Sequence, residues 1–146
     1  GRRLEHDIPT EGDLQLEPGK GIKARGQTAL MTILSGATSL LALKSEAITC
    51  ADNHTLLVSG TAAANQTVIT SNVLLINPDG SNRNITLPAE ASSTGLFLLI
   101  FNTAATSHAL TIKDDGGGDI IVLDQNQHGI VFCNGSSFIG FMGGET

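Results

Sequence analysis

At 146 residues the chain suits one domain, and its content of 40% hydrophobic and 15% charged residues excludes disorder throughout. The net charge is -6, and beyond residue 25 the basic side chains are only Lys44, Arg83 and Lys113. This acidic balance argues against nucleic acid and against an anionic membrane as partners, because both bind clustered Lys and Arg. No apolar run reaches the roughly 20 residues of a membrane-spanning helix.

Residues 1–28 differ in composition from the rest of the chain. They hold five of the eight basic residues, and Pro9, Pro18 and several glycines interrupt any long regular element. We predict an extended N-terminal arm, which would become ordered along a partner because ordering costs about 1 kcal/mol per residue. A disordered tail or a strand of the same domain are the alternatives. The expected partner-binding residues are Arg2, Arg3, Leu4, Ile8, Leu14, Leu16, Ile22, Lys23 and Arg25.

The first half of the remaining chain, from residue 29, reads as short apolar strands. Strands are predicted over 29–34, 39–43, 54–59, 67–70 and 72–76. The Leu and Ala content of 37–48 leaves a short helix open as an alternative there. The tetrapeptide Asn77–Gly80 predicts a tight turn, since Pro presets φ and Gly accepts positive φ.

In the second half, the run Leu96–Phe101 is continuously apolar, which predicts that both its faces are covered, in a sandwich centre or at a subunit interface. Two hairpins are predicted, at the Gly-rich Asp114–Asp119 and at Asn134–Gly135. The expected core and subunit-interface residues are Leu96, Leu98, Ile100, Phe101, Phe132, Phe138 and Phe141.

Strands that recur every 8–12 residues with turns between them are typical of an all-β domain. We therefore predict an antiparallel β-sandwich of jelly-roll type over residues 29–146, preceded by the arm. The chain has no convincing internal repeat and lacks the alternating strands and helices of a nucleotide-binding sheet.

Residues with chemical potential are scattered. The four histidines have no metal-ligand spacing, and no nucleophile motif surrounds Cys50 or Cys133. The two cysteines are read as buried thiols, with a disulfide as the minority alternative. The acids of Asp114–Asp119 are read as a solvated hairpin tip, with a calcium site as the minority alternative. We predict no enzyme activity, cofactor or metal, and the absence of Trp and Tyr disfavours a sugar-binding face.

One succession of signals resembles a known group of proteins. It runs from Asn84–Pro88 through the Gly95-led apolar strand to Asn102, the Gly-rich loop and Cys133–Gly135. Over residues 84–141 this order is similar to β domains of tailed-bacteriophage virion proteins, both capsid decoration (cement) proteins and tail-spike or fibre modules. Many members place Trp soon after the last turn, where this chain offers Phe138.

The resemblance implies a structural protein of the virion, made in the cytoplasm of the host bacterium. In the first interpretation it is a homotrimer on the outer capsid surface that binds the major capsid protein through its arm and stabilises the shell. In the alternative it is a trimeric tail-fibre or tail-spike module involved in host attachment.

Overall fold

The computed structural model describes residues 43–143, together with the backbone of residues 21–22, 31–33 and 41–42. The chain divides into two compact units, residues 1–43 and 44–146. In the first unit, β1 (Gly21–Ile22), β2 (Met31–Ile33) and β3 (Leu41–Leu43) form an antiparallel sheet in that order. Of the predicted arm residues, Ile22 lies in β1, and the other eight fall outside the described residues.

The second unit contains ten strands and one 3₁₀ turn (Glu90–Ser92). The strands are β4 (Ser45–Thr49), β5 (His54–Leu57), β6 (Gln66–Val68), β7 (Val73–Asn77), β8 (Arg83–Thr86), β9 (Phe97–Asn102), β10 (Leu110–Lys113), β11 (Asp119–Leu123), β12 (His128–Cys133) and β13 (Phe138–Gly143). Sheet 1 has the order β11-β10-β8-β5-β6, and sheet 2 has the order β13-β12-β9-β7-β4. The all-β prediction is confirmed, and the helical alternative over 37–48 is wrong where β3 and β4 lie.

The chain winds between the two sheets instead of folding back within one. It passes from β4 in sheet 2 to β5 and β6 in sheet 1, returns to β7 in sheet 2, and then passes through β8, β9 and β10, changing sheet at each step. Each circuit therefore places a strand parallel to its predecessor, as in a β-helix: Ser45 pairs with Val73, and Val73 pairs with Leu99. Both sheets are mixed, which corrects the prediction of a purely antiparallel sandwich.

A tight turn at Asn77–Gly80 makes one of these crossings. The Asn77 side-chain oxygen accepts a hydrogen bond from the Asp79 N–H at 3.0 Å, and Asp79 and Gly80 have positive φ angles of 47° and 82°. The turn therefore forms where the sequence predicts it, but it connects β7 to β8 in the opposite sheet.

Antiparallel hairpins complete the C-terminal part of both sheets. The predicted turns join β10 to β11 and β12 to β13, and β12 also pairs antiparallel with β9. In the second hairpin the Asn134 side chain accepts the N–H groups of Ser136 and Ser137, both at 2.9 Å, while Gly135 has φ of 98°. Both predicted hairpins are confirmed.

The core lies between the inward faces of sheets 1 and 2. Inward residues of every strand of the two sheets except β6 enter one apolar cluster that includes Leu56, Leu74, Ile85, Ile100, Ile112, Leu123 and Val131. At the end where β11 meets β13, the sheets approach too closely for a side chain at two glycines. A Cβ at Gly129 would lie 2.5 Å from Ile121 Cδ1, and one at Gly140 would lie 2.7 Å from Ile121 Cγ2.

A buried amide fixes the end of β9. The Asn102 side-chain N–H₂ donates to the carbonyls of His108 and Leu123 at 2.8 and 2.9 Å, and its oxygen accepts the Ala104 N–H at 2.9 Å. Asn102 is 2% exposed, so these bonds satisfy a polar group that would otherwise destabilise the core. The residue links sheet 2 to the end of β11.

Two adjacent residues of β11 test this arrangement of inner and outer faces. Leu123 is fully buried and Val122 is 43% exposed. We expect Leu123→Ala to lower the free energy of unfolding by about 2–5 kcal/mol, because it leaves a cavity. Val122→Ala should lower the free energy of unfolding by less than about 1 kcal/mol. Urea denaturation measures both values, and equal losses would contradict the assignment of faces.

Candidate functional site

The feature most distinct from an ordinary solvated surface is the outward side of sheet 2. In all five strands the residues that alternate with the core positions point away from sheet 1, and the strand register aligns them into rows. We call this surface the outer face; it consists of Ser45, Ala47, Thr49, Val73, Leu75, Asn77, Phe97, Leu99, Phe101, His128, Ile130, Phe132, Ile139, Phe141 and Gly143.

Large apolar side chains dominate the outer face. Phe97, Phe132, Ile139 and Phe141 are 42%, 41%, 44% and 66% exposed, and Phe97 pairs in register with Phe132. The rings of Phe101 and His128 lie 5.5 Å apart between centroids. None of the outward positions of the five strands carries Asp, Glu, Lys or Arg. A continuous apolar patch of this kind marks an interaction surface in many soluble proteins.

The outward side of sheet 1 is more polar. Its rows contain Thr55, Thr86 and Thr111, and Lys113 forms an ion pair with Asp119, although Val122 is also exposed on this side. Such polar and charged side chains are typical of a solvated sheet face. The contrast between the two sheets identifies the outer face of sheet 2 as the candidate functional surface.

The residues predicted for the core and subunit interface divide between the two sides of sheet 2. Leu98, Ile100 and Phe138 are in the core, and Leu96 packs against it while partly buried. The remaining three, Phe101, Phe132 and Phe141, lie on the outer face. Within a single chain, the core covers only one side of Leu96–Phe101, and the side chains on the other side are half-buried or exposed.

The two cysteines are free and buried. Burial raises the pKa of Cys50 to about 11, and the nearby Arg83 guanidinium only partly offsets this. Arg83 Nε donates to the carbonyls of Cys50 and Pro78, both at 3.1 Å. Because the thiolate is the reactive form, the raised pKa makes Cys50 a poor nucleophile at neutral pH. The structural thiol interpretation fits this environment.

A buried histidine connects β5 to β6. His54 Nε2 lies 2.8 Å from Thr67 Oγ1, whereas its Nδ1 has no hydrogen-bond partner. Burial lowers the pKa of His54 below its ordinary value of 6.5, since the imidazolium would lose its hydration. His108 and His128 are half-buried elsewhere, and His6 lies outside the described residues. These three described histidines do not form a common site.

The Gly-rich loop forms a closed hairpin tip. Asp114 Oδ1 accepts the Gly118 N–H at 2.7 Å, and the Asp114 N–H donates to the Gly118 carbonyl at 2.9 Å. The Asp114 carboxylate therefore stabilises the turn, and Asp119 forms an ion pair with Lys113. In the described part of the chain, no three His, Cys, Asp or Glu side chains converge as metal ligands. Nor does any described helix have the length and apolar content to cross a bilayer.

Comparison with protein-family models, with curated proteins and with solved structures gives no match. The features of this chain that bear on its function are therefore the outer face of sheet 2 and the sequence pattern.

The sequence predicts some residues of the outer face as interface residues and does not predict others. The Phe residues of β9, β12 and β13 drew attention to it, but Val73 and Leu75 on β7 were not singled out. Strand β4 (Ser45–Thr49) falls largely within 37–48, where strands are preferred over a helix, but its bounds are not predicted. The signal that was available is the continuous apolar run Val73–Ile76, which predicts apolar side chains on the outward side of β7 as well as in the core.

The buried His54 predicts a pH-dependent stability. Since its folded-state pKa is lowered, the unfolded chain binds the proton first as the pH falls, and the free energy of unfolding decreases below about pH 6.5. We expect His54→Gln to reduce this dependence in urea denaturation between pH 5 and 8. Thr67→Val, which keeps the buried ring, should retain most of it. An unchanged pH profile in His54→Gln would contradict this role.

Proposed function

We propose that this chain is a structural protein of a tailed-phage virion that acts by assembly, as a capsid decoration (cement) protein. The observation that carries the proposal is the outer face of sheet 2, whose large apolar side chains lie on β7, β9, β12 and β13 and which lacks Asp, Glu, Lys and Arg. A surface with this composition is suited to lasting contact with protein.

The pattern that suggested a virion protein falls on defined structural features. The segment Thr86–Pro88 ends β8, Gly95 has φ of 82° directly before β9, and Asn102 is the buried amide at the end of that strand. The two hairpins follow in the order of the resemblance. Each element of the pattern thus corresponds to a strand end, a turn or a hairpin of this β domain.

In the proposed mechanism the β domains form a homotrimer on the outer capsid surface, and the arm, residues 1–28, binds the major capsid protein. Individual surface ion pairs along such an arm contribute only about 0–1 kcal/mol each. Joining several arms in one trimer raises the effective concentration of each contact. Binding only the assembled shell then stabilises that shell by mass action.

A second candidate is a trimeric tail-fibre or tail-spike module involved in host attachment. The parallel winding of β4, β7 and β9 favours it, because a β-helix extends along one axis by adding circuits. This geometry suits an elongated appendage as well as a capsid surface.

Counting copies per particle distinguishes the two candidates. We expect quantitative mass spectrometry of purified virions to give between about one-third and one copy per major capsid protein, since decoration follows the repeat of the shell. A handful of copies per particle would favour the tail module. Absence from virions would contradict both.

Deleting residues 1–25 tests the arm. We expect the shortened chain to keep the thermal unfolding transition of the β domain and to lose binding to purified capsid shells, because the domain core lies within residues 48–138. Cosedimentation with shells measures binding, and circular dichroism serves as the folding control. Undiminished cosedimentation would contradict a role for the arm.

A further inference from the structure

The exposed large apolar side chains of this chain are concentrated on one surface. Of the seven such residues among those described, four (Phe97, Phe132, Ile139 and Phe141) belong to the outer face of sheet 2. They come from three adjacent strands, and half-buried Val73 and Leu75 extend the surface across β7. Contact between water and such a surface is unfavourable, and contiguous apolar patches of this kind mark sites of interaction with a partner.

We propose that the outer face of sheet 2 is covered by further copies of this chain. The inference rests on the proposed function and deepens it, since the face could instead have met the major capsid protein. In this proposal the outer face of sheet 2 binds other copies of this chain, and other parts of the chain bind other proteins.

The charge distribution favours copies of the same chain. In a cyclic assembly such as a trimer, residues near the symmetry axis face the same residues of the other copies, so a charged residue there meets a like charge. The outer face avoids this repulsion because its outward positions hold no acid and no Lys or Arg, although the chain has a net charge of -6. A face evolved for a different protein has no such constraint, and charges of opposite sign would strengthen it.

The size and composition also fit a homo-oligomer. Five strands at about 4.8 Å spacing and five to six residues at about 3.3 Å give a flat area of roughly 400 Å². Covering this face on two contacting copies removes on the order of 1,000 Å² once protruding side chains are included, which is about the smallest area expected of a specific interface. Permanent homo-oligomer contacts are more apolar and poorer in charge than transient ones, as this face is.

The edge of sheet 2 at β4 is less suited to association than its face. Glu46 occupies an inward position on this last strand, and its carboxylate accepts the Thr70 N–H at 2.8 Å. An inward-pointing charge on a terminal strand is a known means of preventing further strand pairing. Growth by strand addition at this edge is therefore disfavoured relative to packing of faces.

The test compares two matched surface substitutions in the full chain. Phe132→Lys places a charge on the outer face, and Val122→Lys places one on the outward side of sheet 1, at positions 41% and 43% exposed. Sedimentation velocity and light scattering give the assembly mass at protein concentrations up to about 100 µM. We expect the unsubstituted chain and Val122→Lys to form the same oligomer, and Phe132→Lys to dissociate at least about tenfold more readily.

Two further variants guard against loss of folding. Phe97→Thr and Phe132→Thr keep strand-favouring residues while removing the apolar rings, and circular dichroism checks each fold. Both should weaken association in the same direction as Phe132→Lys. A monomeric unsubstituted chain, or variants that assemble like it, would overturn the proposal. A chain that is monomeric but abundant in virions would contradict the interface and not the virion function. An oligomer that is absent from virions would contradict the virion function and not the interface.

Discussion

The parallel register of β4, β7 and β9 is the constraint on which the rest of the second unit depends. Each circuit returns the chain to the same sheet at the same parity, so Leu74 lies beside Ile100 in the core and Val73 beside Leu99 on the outside. Inner and outer rows are thereby fixed together. A shift of one residue would exchange the two sides of the strand.

The register explains why one protein has two apolar layers. The inner layer closes against sheet 1, where Gly129 and Gly140 allow β11 to approach sheet 2. The outer layer stays partly exposed in the described chain, where Phe141 is 66% exposed, whereas the outward side of sheet 1 is more polar and carries the Lys113–Asp119 pair. Folding uses the first layer, and we infer that assembly uses the second.

Much of this structure could be predicted from local sequence, and the pairing could not. Short apolar alternation identified most strands, and Asn134–Gly135 identified a hairpin because positive φ is required there. The parallel pairs join residues far apart in the chain, such as Ser45 and Val73, and no local signal reports them. Half-buried strands usually indicate antiparallel sheets, since parallel strands are commonly covered on both faces; here the winding leaves parallel strands with an outward side.

In the candidate site, too, local sequence predicts some features and does not predict others. The apolar run Leu96–Phe101 indicated that both of its sides would be covered, without indicating by what. Its inner side was identified from Leu98 and Ile100, which are buried. The outer face required the sheet order, because it joins residues of β7, β9, β12 and β13 that are separated by long stretches of sequence.

The central claim is tested most directly by the solvent accessibility of two side chains in the assembled, unsubstituted protein. Ile139 on the outer face and Val122 on sheet 1 are 44% and 43% exposed in the single chain. Methyl NMR with a soluble paramagnetic probe reports which of them the solvent reaches. Our account predicts that Ile139 is protected and Val122 is broadened, because copies of the chain cover only the outer face. Equal broadening of both signals would contradict it.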